Sequence, residues 1–250
     1  CAVGGVQSAD IKTVHNLSVK PVVCYDNDAN GAGLKLVENF LKQGSVDALT
    51  TPETDSDLDS FIRGFGTDTK RAFEEVKQLV AARKRIPQLY EAIRSEIDNL
   101  RNAEGGKRGL KKFIVHRRSA EAALENLKDR GRFLHDGNSA YFFLEEDKKL
   151  LAVQRDTLGL ELLLGRYGLA PSEDIFRYAL DVMRLEALEH GEKTEVYGLS
   201  HYDRTRHALY LYDLGQEIYR ITPDKVERLD NGVDGVLFLH QPSWKPFTLA

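Results

Sequence analysis

PVVCYDNDANGAG, residues 21–33, is the stretch on which the fold turns. Its short apolar run, 22–25, predicts a buried strand that carries Asp26 and Asp28 out at its carboxyl end. That edge is where open α/β sheets place their ligands. Alternation along an extended chain points the two aspartates to the same side. Carboxylates sharing a face repel and raise one another's pKa unless a cation lies between them, and a hard divalent ion such as Mg2+ fills that role. Gly31 and Gly33 allow a tight turn into a helix beginning near Leu34. A solvated strand-to-helix turn made of Asp and Asn accounts for the same residues without a metal.

Residues 34–43 have helical spacing, with Leu34, Leu36, Val37, Phe40 and Leu41 available for an apolar face. A second apolar stretch, 46–49, leads into the carboxylate-dense segment PETDSDLDSF, 52–61. There Asp57 and Asp59 precede Phe61, Ile62, Arg63 and Gly66. This order of strand, Asp-x-Asp, helix, strand and second acidic loop resembles the TOPRIM domain of bacterial-type DNA primases, topoisomerases and some nucleases. The resemblance implies catalytic roles for Asp26 and Asp28. It also implies a metal set of Asp26, Asp28, Asp57 and Asp59 holding Mg2+ or Mn2+. One departure counts against a complete site. The family's glutamate ends a strand upstream of a stretch like CAVGGV, residues 1–6, and nothing precedes Cys1. The expectation is an internal piece of a longer polypeptide, inactive by itself, with the glutamate and the family's zinc-binding domain outside it.

The composition is that of a globular chain: 250 residues, 42% hydrophobic and 30% charged. No apolar run approaches the roughly 20 residues that span a bilayer, and no basic region leads into a signal core. A cytoplasmic setting is therefore expected, with no membrane partner. Cys1 and Cys24 are the only cysteines. Cys24, inside an apolar strand, is expected to be a buried thiol, and the pair supports neither a disulfide framework nor a zinc site.

The net charge of -4 conceals an uneven distribution. Residues 1–69 carry 5 Lys and Arg against 10 Asp and Glu, residues 70–134 carry 17 against 9, and residues 135–250 carry 13 against 20. The basic middle includes Arg83, Lys84, Arg85, Lys107, Arg108, Lys111, Lys112, His116, Arg117 and Arg118. Such a cluster can neutralise nucleic-acid phosphates and make affinity fall with salt. The same residues also suit solvated helix faces paired with Glu74, Glu75, Glu91 and Glu96. Phe113 is the nearest aromatic, so a stacking platform for single strands is poorly supported.

The remaining elements follow from period and breaks. Residues 69–85 read as a helix with a stripe of Phe73, Val76, Leu79 and Val80, and Pro87 opens a second helix through 89–102. NAEGGKRG, 102–109, reads as a linker. Residues 110–117 suit a strand or a helix start, and 119–130 a helix. Two apolar runs, 138–144 and 149–154, flank a charged turn in a hairpin pattern. Helices follow over 156–167 and 172–190, the second capped by Ser172. Its candidate core positions are Ile175, Phe176, Ala179, Leu180, Val182 and Met183. From Thr194 the period becomes alternating, with strands over 194–199, 207–213, 217–221 and 235–240. His201, Asp203 and His207 suit either a metal site or, more simply, a polar hairpin loop. Tyr197, Tyr202, Tyr210, Tyr212 and Tyr219 fit sheet packing with hydroxyls at a wet edge.

Residues 208–228 resemble a segment of plasmid and phage primase-helicase proteins that lies between the primase part and a downstream ATPase. No Walker-type loop occurs in the chain. The fold expected is α/β: a partial TOPRIM-like parallel sheet with helices, then a mixed helical region, then a small antiparallel β region. The divisions are a metal-binding domain over 1–68, a basic helical connector over 69–108, a mainly helical α+β region over 109–192, and the β region over 193–250. The function implied by the resemblance is metal-dependent RNA primer synthesis by a DNA primase or primase-helicase. Its partners would be template DNA, ribonucleotides and a downstream ATPase or helicase. A TOPRIM-type nuclease of a mobile element or defence system, and a non-catalytic DNA-binding or scaffold part of a replication assembly, are the alternatives.

Overall fold

The computed structural model describes residues 22–25, 32–52, 57–103, 110–214, 217–240, 245 and 247. Two compact units divide the chain, Cys1–Ile93 and Arg94–Ala250. The first is built on a parallel pair. Strand β1 (Val22–Tyr25) and strand β2 (Val46–Thr50) are joined by helix α1 (Ala32–Leu41), and their register runs from Val22 opposite Asp47 to Tyr25 opposite Thr50. A crossover helix is what a parallel pair requires. Val37, Phe40 and Leu41, spaced three and four apart, pack with Val23 and Val46 to form the core of this unit.

Alternation splits β1: Val23 is buried, while Val22 and Cys24 are exposed. The expected buried thiol is therefore corrected, because the face of β1 opposite the Val23 core carries Cys24 to the surface. Leu34 likewise lies off the buried stripe of α1, 54% exposed.

After β2 come a short helix α2 (Leu58–Arg63) and helix α3 (Thr69–Ala81), then strand β3 (Lys84–Ile86). The helical period expected over 69–85 is cut short. Arg83 donates to the Val80 carbonyl at 2.8 Å, and residues 84–86 join the sheet antiparallel to β2, giving the order β1-β2-β3. Sheet pairing thus overrides the helical pattern of the last residues. Ala72 is the buried residue of α3, and Phe73 of the expected stripe is 67% exposed.

Helix α4 (Tyr90–Ala103) contains the division between the units. In the second unit the stretch from 110 is one helix, α5 (Leu110–Arg130), which settles the choice between strand and helix there. Strands β4 (Gly131–His135), β5 (Ala140–Leu144) and β6 (Lys149–Ala152) follow, and the expected hairpin is β5 with β6, Leu144 opposite Lys149. Helices α6 (Leu158–Arg166) and α7 (Asp174–His190) come next; α7 packs on α5 and on β4 and β5. Of the six expected core positions of α7, all but Val182 are buried. The cap differs from expectation: Glu173, not Ser172, stands at the N-cap, and it makes no side-chain cap bond.

Strands β7 (Glu192–Lys193), β8 (Val196–Tyr197), β9 (Ser200–Asp203), β10 (Ala208–Tyr212), β11 (Glu217–Ile221), β12 (Val226–Asp230) and β13 (Leu237–Phe238) complete the unit. They form the antiparallel sheet β12-β11-β10-β9, the parallel pair β13-β8 and the outer strand of β6-β5-β4-β7. Phe238 and Leu237 point into two different cores, one with Tyr210 and Tyr212 and one with Tyr141 and Phe143. The architecture is mixed α/β with parallel pairs and a small antiparallel sheet. Among the described residues no helix is long and apolar enough to cross a membrane.

Candidate functional site

The register of β1 with β2 sets the carboxyl ends of the two strands side by side at one edge of the sheet. Tyr25 and Thr50 are opposite one another at the carboxyl ends of parallel strands. Asp26 follows Tyr25 directly, and Asp57 follows Thr50 by seven residues. Asp26 and Asp28 themselves lie outside the described residues.

Asp57 is the N-cap of α2, and its Oδ1 accepts from the Ser60 backbone N–H at 2.6 Å. Those hydrogen bonds from Ser60 hold its carboxyl below the ordinary aspartate range. Asp59, in the first turn, pairs with Arg63 one turn on at 2.7 Å, with both side chains mostly exposed. An exposed pair of that kind contributes little to stability. Among the described residues no group of three or more His, Cys, Asp or Glu is gathered where it could hold an ion. The two described carboxylates are hard oxygen donors, and that donor chemistry fits Mg2+ or Mn2+ rather than zinc.

The basic residues are largely engaged. Arg83 and Arg85 both bind Asp47, at 3.1 and 3.3 Å, across the β2–β3 pairing. In the second unit Lys112 pairs with Asp174 at 2.7 Å and Arg117 with Glu121 at 2.7 Å. Among the described residues Lys84 and Arg118 form no ion pair, and both are exposed. Lys107 and Arg108 lie outside the described residues, as does the side chain of Lys111.

His201, Asp203 and His207 do not form a ligand set. Asp203 accepts from the backbone N–H groups of Thr205 and Arg206 and pairs with the Arg206 guanidinium at 2.6 Å, closing the β9–β10 turn. His201 stacks on Tyr197 with ring centroids 4.0 Å apart. The tyrosine hydroxyls find partners: Tyr210 donates to Asp234 at 2.7 Å, and Tyr212 lies 3.0 Å from Nδ1 of His240. Burial and the Glu195 carboxylate push Tyr197 up to about 12.

Two cavities of the second unit had no counterpart in the sequence motifs. One, about 480 Å3, is lined by Arg101, Lys112, His116, Glu173 and Asp174. Its charges are mutually satisfied, Arg101 on Glu173 at 2.9 Å and Lys112 on Asp174. Burial and then the nearby Lys112 charge lower the His116 pKa. The other, about 460 Å3, brings Asn138, Gln154, Arg155 and Arg184 together from a hairpin and a helix. No local spacing announces such a set, since a turn, a strand end and a distant helix supply it.

No protein-family model matches the chain, no curated protein is significantly similar to it, and no solved structure gives a significant match.

Proposed function

We propose that the chain is the metal-binding part of a DNA primase or primase-helicase, acting in RNA primer synthesis in the cytoplasm. The observation that supports this reading is the parallel β1-α1-β2 unit with Tyr25 opposite Thr50. From that one edge the chain leads into both Asp26-x-Asp28 and Asp57-x-Asp59. In the proposed site Asp26 and Asp28 hold Mg2+ or Mn2+, with Asp57 and Asp59 completing or tuning the set. A bound divalent ion supplies charge stabilisation for the oxygens of an in-line phosphoryl transfer. Of the described carboxylates, Asp57 accepts from the Ser60 N–H and Asp59 pairs with Arg63, so metal binding would compete with both contacts. Template DNA and ribonucleotides are the proposed partners, along with a downstream ATPase or helicase. Within the basic cluster, Lys84 and Arg118 are the described cations outside ion pairs and so open to phosphates.

The experiment is a primer-synthesis assay of the full-length protein with single-stranded template, labelled ribonucleotides and Mg2+. Labelled RNA that disappears in Asp28→Asn is the expected result, and nicked template instead of RNA transfers the same carboxylates to a nuclease. The engagement of Asp57 as a cap and of Asp59 with Arg63 favours a second reading, a non-catalytic DNA-binding or scaffold part of a replication assembly. Metal binding with neither product in the full-length protein is its signature.

A further inference from the structure

The turn before β5, the end of β6 and one face of α7 enclose the 460 Å3 cavity, a volume within the roughly 300–1,000 Å3 of small-molecule sites. Its floor is apolar and buried, from Ala140, Tyr141, Val153 and Leu180. Its rim is polar and exposed, from Asn138, Ser139, Gln154, Arg155, Asp181 and Arg184. Half of the lining residues are polar, so the cavity joins a small apolar floor to a rim rich in hydrogen-bonding and charged groups, a composition suited to a polar ligand.

The rim is held in place before any ligand arrives. The Asp136 carboxylate accepts from the backbone N–H of Asn138 at 2.9 Å and of Ser139 at 2.7 Å, and from the Tyr141 hydroxyl at 2.8 Å. Gly137 completes this turn with a φ of +101°, which a side chain would strain. On the other wall, the Val153 N–H donates to the Ala140 carbonyl at 2.8 Å, fixing the point where Gln154 and Arg155 leave the hairpin. Arg184 stands one helical turn beyond the floor residue Leu180.

Charge separates this cavity from its neighbour. Among the described residues neither Arg155 nor Arg184 forms an ion pair, whereas Arg101 and Lys112 of the other cavity are already bound to carboxylates. Two guanidinium groups at one rim suit a phosphate, which each can bind through paired N–H donors. The neutral amides of Asn138 and Gln154 offer both donors and acceptors, and Asp181 accepts from an amino or hydroxyl group. We infer that this cavity binds a nucleoside monophosphate, with the phosphate on Arg155 and Arg184 and the base over the apolar floor, its edge read by the amides and Asp181. The site lies wholly in the second unit and needs no metal.

The test is calorimetric titration of the full chain with AMP, and separately with inorganic phosphate, in buffer containing EDTA. Arg155→Gln and Arg184→Gln are titrated alongside; both side chains are exposed, so neither change should disturb the fold. Saturable AMP binding that weakens about 10–100-fold in each variant, the loss of charge-assisted hydrogen bonds, is expected. AMP should bind more tightly than inorganic phosphate, and Asp26→Asn should leave AMP binding unchanged. No binding of AMP at millimolar concentration overturns the inference. So does AMP binding as tight in both arginine variants as in the native chain, or AMP no tighter than phosphate.

Discussion

Asn126→Ala isolates a buried polar network of the second unit. Asn126 is 3% exposed, and its Oδ1 accepts from Arg130 Nε at 2.9 Å and from the Tyr167 hydroxyl at 2.8 Å. Tyr167 is fully buried and Arg130 nearly so, and Arg130 also holds Glu146 at 2.9 Å. Truncation removes the shared acceptor and leaves both donors in place. A buried donor deprived of its partner costs about 1–3 kcal/mol. Arg130 keeps its carboxylate, so its share falls at the low end, and the total expected is about 3 kcal/mol. In a unit of this size that lowers the melting temperature by about 6–12 °C. Tyr167→Phe removes a donor but keeps the acceptor occupied by Arg130, and is expected to cost about 1 kcal/mol. Added to Asn126→Ala, it should cost less than it does alone, because the hydroxyl it deletes no longer reaches Asn126 Oδ1. Urea and thermal unfolding followed by far-ultraviolet circular dichroism read these differences. A loss below about 0.5 kcal/mol for Asn126→Ala, or strict additivity of the pair, would refute the network as described.

Gly131→Ala should destabilise the second unit by about 3 kcal/mol, seen as a lower urea midpoint, because the added carbon would collide with the Phe143 carbonyl oxygen and meet the Phe142 ring at 2.8 Å. Burial, and then the Lys149 charge, lower the His240 pKa in the fold. Its stabilising contribution is therefore complete above the ordinary histidine value near 6.5 and is lost as pH falls below it. Unfolding midpoints measured from pH 7.5 to 5 should decline more in the native chain than in His240→Gln; parallel declines would exclude this residue as a source. Asp47→Asn removes the carboxylate that neutralises Arg83 and Arg85, and should tighten binding to short duplex DNA several-fold at low salt and steepen the salt dependence. Unchanged affinity and slope in a fluorescence-anisotropy titration would show that these arginines do not meet phosphate.

What the sequence disclosed depended on how local the signal was. The β1-α1-β2 unit was readable because an apolar run, a pair of glycines and a helical stripe succeed one another without interruption, and Val23, Val37 and Phe40 are buried together. The β5–β6 hairpin was readable for the same reason. Strand β3 was not, because residues 84–86 continue a helical period and become a strand only through pairing with Val46, Asp47 and Ala48. Strand β12, VERLD, carries charge at Glu227, Arg228 and Asp230, shows no alternating apolar pattern and exists by pairing with β11. At the candidate site, the acidic segments were legible as composition, whereas the capping role of Asp57 follows from the onset of α2, hidden in a loop-like run of Pro, Thr, Asp and Ser. The ion pairs of Arg83 and Arg85 with Asp47 were hidden too, since strand pairing brings together residues 36 and 38 positions apart.

The most direct test of the proposed metal site is calorimetric titration of the 250-residue chain with Mn2+, beside Asp26→Asn and Asp28→Asn. Saturable binding of the native chain on the order of micromolar, abolished in both variants, is the predicted result. Binding of the same strength in all three chains would contradict a carboxylate metal site at the end of β1.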